Sequence, residues 1–155
     1  MIEEDYKMIS IHLNQCVYEA LERVYDRDYS LIEREVSERA IVFRFGLYMN
    51  EILQSTEFSV YDIDVEYNRN GNEPKRLPNH KNGTYPDFII HKREVNTDNL
   101  LVLEFKTEWY NNQKADKDKI QKYMDLSGEY KFKYGATILI NKDRPQIEWF
   151  EHTLL

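Results

Sequence analysis

The run Leu100-Leu101-Val102-Leu103, followed at once by Glu104-Phe105-Lys106, constrains the fold more than any other stretch. Successive strand residues point to opposite faces, so a strand apolar at four consecutive positions is covered on both sides and belongs in the middle of a sheet. An upstream run, Phe88-Ile89-Ile90, starts just after Pro86-Asp87. The polar connection between the two runs is short enough for an antiparallel pair. In such a pair the start of one strand lies beside the end of the next. Asp87, Glu104 and Lys106 are therefore expected at one edge of the sheet.

A covered strand that turns charged needs a reason, because an unpaired buried charge is costly. One reason is a metal. Mg²⁺ takes hard oxygen ligands, keeps several waters and needs only one or two protein carboxylates. Asp87 and Glu104 supply those, and the backbone carbonyl of Phe105 adds a third oxygen. Lys106, two residues beyond Glu104 on the same face, would sit beside a reacting water or phosphate. The other reason is a plain Glu104–Lys106 ion pair. On these residues alone both readings stay open.

With 155 residues the chain is expected to form one domain with a single core. The boundaries read as an N-terminal helix over 1–29, a core over 30–141 and a C-terminal strand over 142–155. Aromatic residues reach 14%, which argues against disorder despite 32% charged residues. Cys16 is the single cysteine, so neither a disulfide framework nor a cysteine zinc site is available. The start, MIEEDYKM, is acidic and lacks a long apolar run. It is read as neither signal peptide nor membrane span, and a cytoplasmic location is the expectation.

The net charge of −7 disfavours broad nonspecific binding to nucleic acid. The charge is uneven, with a balance of −9 over residues 1–66 and +2 over 67–155. Arg69, Lys75 and Arg76 fall in the turn-rich segment 68–85, punctuated by Asn70-Gly71, Pro74, Pro78 and Asn82-Gly83. That segment is either a solvated loop or a local basic face able to approach a substrate.

Along the chain, an apolar stripe through Leu13, Val17, Leu21 and Val24 predicts a helix over 3–27. Cys16 falls on it as a small core residue. Ser30-Leu31-Ile32-Glu33 has the form of a capping box and predicts a second helix starting there. Val36, Ala40, Phe43 and Leu47, with Met49, Ile52 and Leu53, supply its buried side. Glu38 lies beside that stripe. Residues 58–67 alternate as a strand, with Asp62, Asp64 and Glu66 on one face as a second place to look for a metal or a solvated carboxylate row. A helix is expected from Asn111 or Asn112 to about Leu126, with Ile120, Tyr123 and Met124 apolar and Lys119 and Lys122 on a basic side. Strands at 134–140 and 146–150 close the chain. The four His are scattered and lack metal-ligand spacing.

PDFIIH followed by NLLVLEFK resembles the PD-(D/E)xK nuclease superfamily, the restriction-endonuclease-like fold. The resemblance implies a mixed α/β (α+β) fold with core order αβββαβ, here carrying an extra N-terminal helix and an extra C-terminal strand. SERAIVFRF, DVEYNRNG, PDFIIH and LLVLEFK together also resemble uncharacterised bacterial proteins of this fold. It further implies Mg²⁺- or Mn²⁺-dependent phosphodiester hydrolysis on DNA. Asp87 and Glu104 would be ligands, Lys106 the catalytic lysine, and Glu38, on the helix before the sheet, an outer acidic ligand. Arg69, Lys75, Arg76 and Lys119 would contact substrate. The Gln-x-x-x-Tyr motif of some branches is absent, since Gln121 is followed by Lys122, Tyr123 and Met124. Sequence specificity would call for a homodimer or a protein partner. The rival reading is a catalytically inactive nuclease-fold domain serving as a binding or assembly module.

Overall fold

The computed structural model describes residues 3–67, 85–110 and 114–152, with side chains of 114–116 excepted. It divides into a helical unit, Met1–Val60, and a sheet unit, Tyr61–Leu155. Together they make a mixed α+β fold with helices at the N-terminal end and a strand at the C-terminal end. Among the described residues no helix is long and apolar enough to cross a membrane.

In the helical unit, α1 spans Glu3–Arg27 and buries Leu13, Cys16, Val17, Ala20, Leu21 and Val24, the stripe its periodicity predicts. A short helix α2 covers Tyr29–Glu33, and α3 covers Glu38–Leu53. The expected single helix from Ser30 is therefore corrected to two. Ser30 lies inside α2, and Asp28 occupies the N-cap position. The break falls at Glu35, whose φ of 54 is left-handed, and Ser37 in extended conformation precedes α3. A left-handed residue at a helix end is usually glycine, so a glutamate there gives no sequence signal.

The buried stripe of α3 is also corrected. Ile41, Phe45, Met49 and Ile52 are buried, whereas Phe43 and Leu47 are exposed. IVFRF is apolar at four of five positions, so its spacing fits two neighbouring faces. Asp28 ties the α1–α2 junction to α3, accepting hydrogen bonds from Arg44 Nε at 3.2 Å and from the Tyr48 hydroxyl.

In the sheet unit, β1 is Asp62–Val65, β2 Phe88–His91, β3 Leu101–Thr107, β4 Tyr134–Ile140 and β5 Gln146–Phe150. The strand predicted over 58–67 is shorter, because Glu57–Val60 is a 3-10 helix of the helical unit. Strand order is β1-β2-β3-β4-β5. Only β3 and β4 run parallel, joined by the crossover helix α4, Lys114–Met124. A parallel pair requires such a crossover. β3 is central and almost wholly buried, as its two-sided apolar run predicts.

Ile120, Tyr123 and Met124 of α4 pack with Ile89, Val102, Tyr130 and Phe132. Leu126, beyond the helix, is exposed. Gly135, which pairs with Val102, gives α4 room to settle: a Cβ there would lie 2.6 Å from Met124 Sδ and 2.9 Å from Ile120 Cγ2. The helix therefore covers the face carrying Val102, and alternation puts Glu104 and Lys106 on that face too.

Candidate functional site

The β2–β3 register pairs Phe88 with Leu103, so one further step sets Asp87 opposite Glu104 and Pro86 opposite Phe105. Proline has no N–H with which to continue the ladder. Where the ladder ends, the Phe105 N–H donates to the Asp87 side chain, 2.7 Å from its Oδ2. That bond holds one carboxylate against the backbone between Glu104 and Lys106. The structure thus brings together the three residues that the hairpin predicted. A residue's N–H and C=O leave an extended strand on the same side. The Phe105 carbonyl is therefore directed to the Asp87 side as well.

Glu104 is only 2% exposed. Its Oε1 lies 3.2 Å from Nζ of Lys119, whose side chain is 18% exposed. Lys119 also reaches the Tyr85 carbonyl at 3.5 Å. The lysine assigned to substrate contact is therefore in the site itself, bridging α4 to the buried carboxylate. Lys106 is half-buried at the next position on the same face.

The row through Glu104 continues across the sheet. Glu104 pairs with Thr137 and Thr137 with Glu148; the next row is Lys106, Leu139 and Gln146. Lys117 of α4 forms a 2.8 Å ion pair with Glu148. Among the described residues in and over these rows, three carboxylates (Asp87, Glu104, Glu148) face three ammonium groups (Lys106, Lys117, Lys119). The protein's own charge is balanced there, so an added phosphodiester anion favours an accompanying cation.

The donor set suits Mg²⁺: two carboxylates on neighbouring strands with a backbone carbonyl beside them are hard oxygen ligands, and one or two carboxylates suffice. Among the described residues no group of three or more His, Cys, Asp or Glu side chains gathers to hold an ion. Glu38 opens α3 in the helical unit, whereas Asp87, Glu104 and Lys106 belong to the sheet unit. Arg69, Lys75 and Arg76 lie outside the described residues.

Asp64, in the second carboxylate row, belongs to an ion-pair cluster that sequence reading missed. Arg93 Nε and Nη2 lie 2.9 and 2.7 Å from its two oxygens, and His91 Nε2 lies 2.7 Å from Oδ2. His91 is 1% exposed and meets the Tyr67 ring edge-on. Burial pushes the Asp64 carboxyl up, but hydrogen bonds from His91 and Arg93 outweigh it and hold the group below the usual carboxylate range. The signal is the spacing of His91, at the end of the strand facing Asp62 and Asp64, and Arg93, just beyond that end. At the far end of β2, the Asp98 carboxylate accepts from Tyr61 and pairs with Lys92 at 3.3 Å. Burial, and then Asp98, push the Tyr61 hydroxyl up to about 12.

Comparison with protein-family models, with curated proteins and with solved structures gave no match.

Proposed function

We propose that the chain is a Mg²⁺-dependent phosphodiesterase of the endonuclease type acting on DNA, with its centre at the start of β2 and the end of β3. The observation that carries this reading is the bond from the Phe105 N–H to Asp87, which gathers two carboxylates and an ammonium at one strand end. Asp87, Glu104 and the Phe105 carbonyl would hold Mg²⁺, or Mn²⁺ in its place. The bound ion supplies charge neutralisation at the phosphate and a lower pKa for water. Lys106 orients the attacking water and stabilises charge as it develops on the phosphoryl oxygens. Lys119 offsets Glu104 and stands next to the phosphate. Arg69, Lys75 and Arg76 are proposed as further phosphate contacts.

A second reading, a catalytically inactive domain that binds or assembles with a partner, has one observation in its favour. The Glu104–Lys119 ion pair sets a cation 3.2 Å from the buried glutamate without a metal. Cleavage of single-stranded, duplex and branched DNA, and of RNA, in the presence of Mg²⁺ separates the two. The phosphodiesterase reading expects Mg²⁺-dependent cleavage that Lys106→Ala lowers by about 100-fold or more. Equal cleavage by Lys106→Ala, or none by the wild type, sinks it.

A further inference from the structure

Tyr85, just before β2, and Tyr110, just beyond β3, flank the end of the sheet that holds Asp87 and Glu104. They are 56% and 58% exposed. We propose that these two rings stack unpaired bases, so that the candidate centre takes single-stranded DNA and not duplex. The inference deepens the phosphodiesterase reading and rests on it for the phosphate at the centre.

A single exposed tyrosine carries little meaning. Two at the same strand ends, both tied by the backbone to that edge, carry more. The Lys119 ammonium lies 3.5 Å from the Tyr85 carbonyl and 3.2 Å from Glu104 Oε1, so one lysine joins Tyr85 to the buried carboxylate. The Tyr110 N–H donates to the Thr107 carbonyl at 3.1 Å and closes a turn. Such a turn keeps the Tyr110 Cα within about 7 Å of the Thr107 Cα, the residue next to Lys106. Among the described residues neither ring pairs with another ring and neither hydroxyl is hydrogen-bonded. Both faces are therefore available to a ligand.

Charge selects the unpaired form. Duplex binding draws its affinity from phosphates neutralised by Lys and Arg. The chain carries a net −7, and the described carboxylates and ammonium groups of the centre balance. Stacking of a base on an aromatic ring needs no surplus of positive charge and is indifferent to sequence. It does need an open base face. In a duplex each face is covered by the neighbouring base pair, and a base must leave the stack before a protein ring can meet it.

The test is fluorescence anisotropy of the full chain with a fluorescein-labelled oligothymidylate about 15 nucleotides long. EDTA is present, so binding is read apart from metal-dependent cleavage. The single strand should bind about tenfold or more tightly than the same strand annealed to its complement. Tyr85→Ala and Tyr110→Ala should each weaken binding by about fivefold or more, the loss of one stacked base. Tyr85→Trp and Tyr110→Trp keep a flat ring and should bind at least as well as wild type. Melting temperatures equal to wild type are expected in all four, because both positions are exposed.

No binding of the single strand, equal affinity for the duplex, or unchanged affinity in both alanine variants overturns the stacking inference. Mg²⁺-dependent cleavage by such a protein leaves the phosphodiesterase reading standing. Single-strand binding that depends on both tyrosines, in a protein that cleaves nothing with Mg²⁺, upholds the stacking and sinks that reading.

Discussion

Lys119 on α4 and Glu104 on β3 form a 3.2 Å ion pair in which the carboxylate is buried and the lysine side chain partly exposed. The helix that crosses from β3 to β4 thus delivers a positive charge to the residue that the candidate centre most needs to keep ionised. Removing one partner of a buried pair leaves the other uncompensated, which typically costs more than the pair itself contributes.

Lys119→Ala should therefore destabilise the protein by about 3 kcal/mol in urea denaturation without divalent ions. Adding Glu104→Gln should recover part of the loss, because the stranded charge is then gone. Millimolar Mg²⁺ should also recover part of it in the single variant, if the ion takes over the compensation. A Lys119→Ala protein as stable as wild type would mean that Glu104 is compensated by another group.

Gly135 is predicted to be intolerant of a side chain. Its Cβ would press on Met124 Sδ and Ile120 Cγ2, and crowding of this kind costs about 1–3 kcal/mol. Gly135→Ala should fall in the lower part of that range, since a methionine side chain can give way, and Gly135→Val in the upper part. Chemical denaturation of the two variants checks the order. Equal stability of wild type and Gly135→Val would contradict the packing of α4 over this strand.

The Asp64 cluster predicts a pH dependence. The folded-state pKa of Asp64 lies below the usual value, so its contribution is complete above the unfolded pKa of about 3.9 and is lost as pH falls through the folded value. Asp64→Asn should cost about 1–2 kcal/mol at neutral pH, a hydrogen-bonded charge that is partly screened on the Arg93 side. The difference from wild type should shrink below about pH 4. Denaturation curves at pH 7 and pH 3 measure it. A difference of the same size at both would show that Asp64 has no depressed pKa.

Much of this architecture is legible in the sequence where a single periodicity applies. The span of α1 and those of β4 and β5 follow from unbroken apolar patterns bounded by polar turns. The break between α2 and α3 is not legible, because Ser30-x-x-Glu33 imitates a helix start and Glu35 adopts a left-handed φ without being glycine. The Asp87–Glu104–Lys106 grouping was readable, since it depends only on one hairpin register. The Lys119–Glu104 pair was not, because it arises when α4 docks over the sheet, and neighbouring lysines on that helix look alike in sequence. In sequence His91 is one of four scattered histidines, and only the strand pairing sets it beside its partner Asp64.

The central claim is that Asp87 and Glu104 hold one divalent ion. Isothermal titration of the protein with Mn²⁺ tests it most directly, using Asp87→Asn and Glu104→Gln as comparisons. Asparagine retains an oxygen to accept the Phe105 N–H, so Asp87→Asn removes charge while sparing the strand end. The account predicts one Mn²⁺ per wild-type chain and at least a tenfold loss of affinity, about 1.4 kcal/mol, in each variant. A wild type that takes up no ion, or variants that bind Mn²⁺ as tightly as wild type, would contradict it.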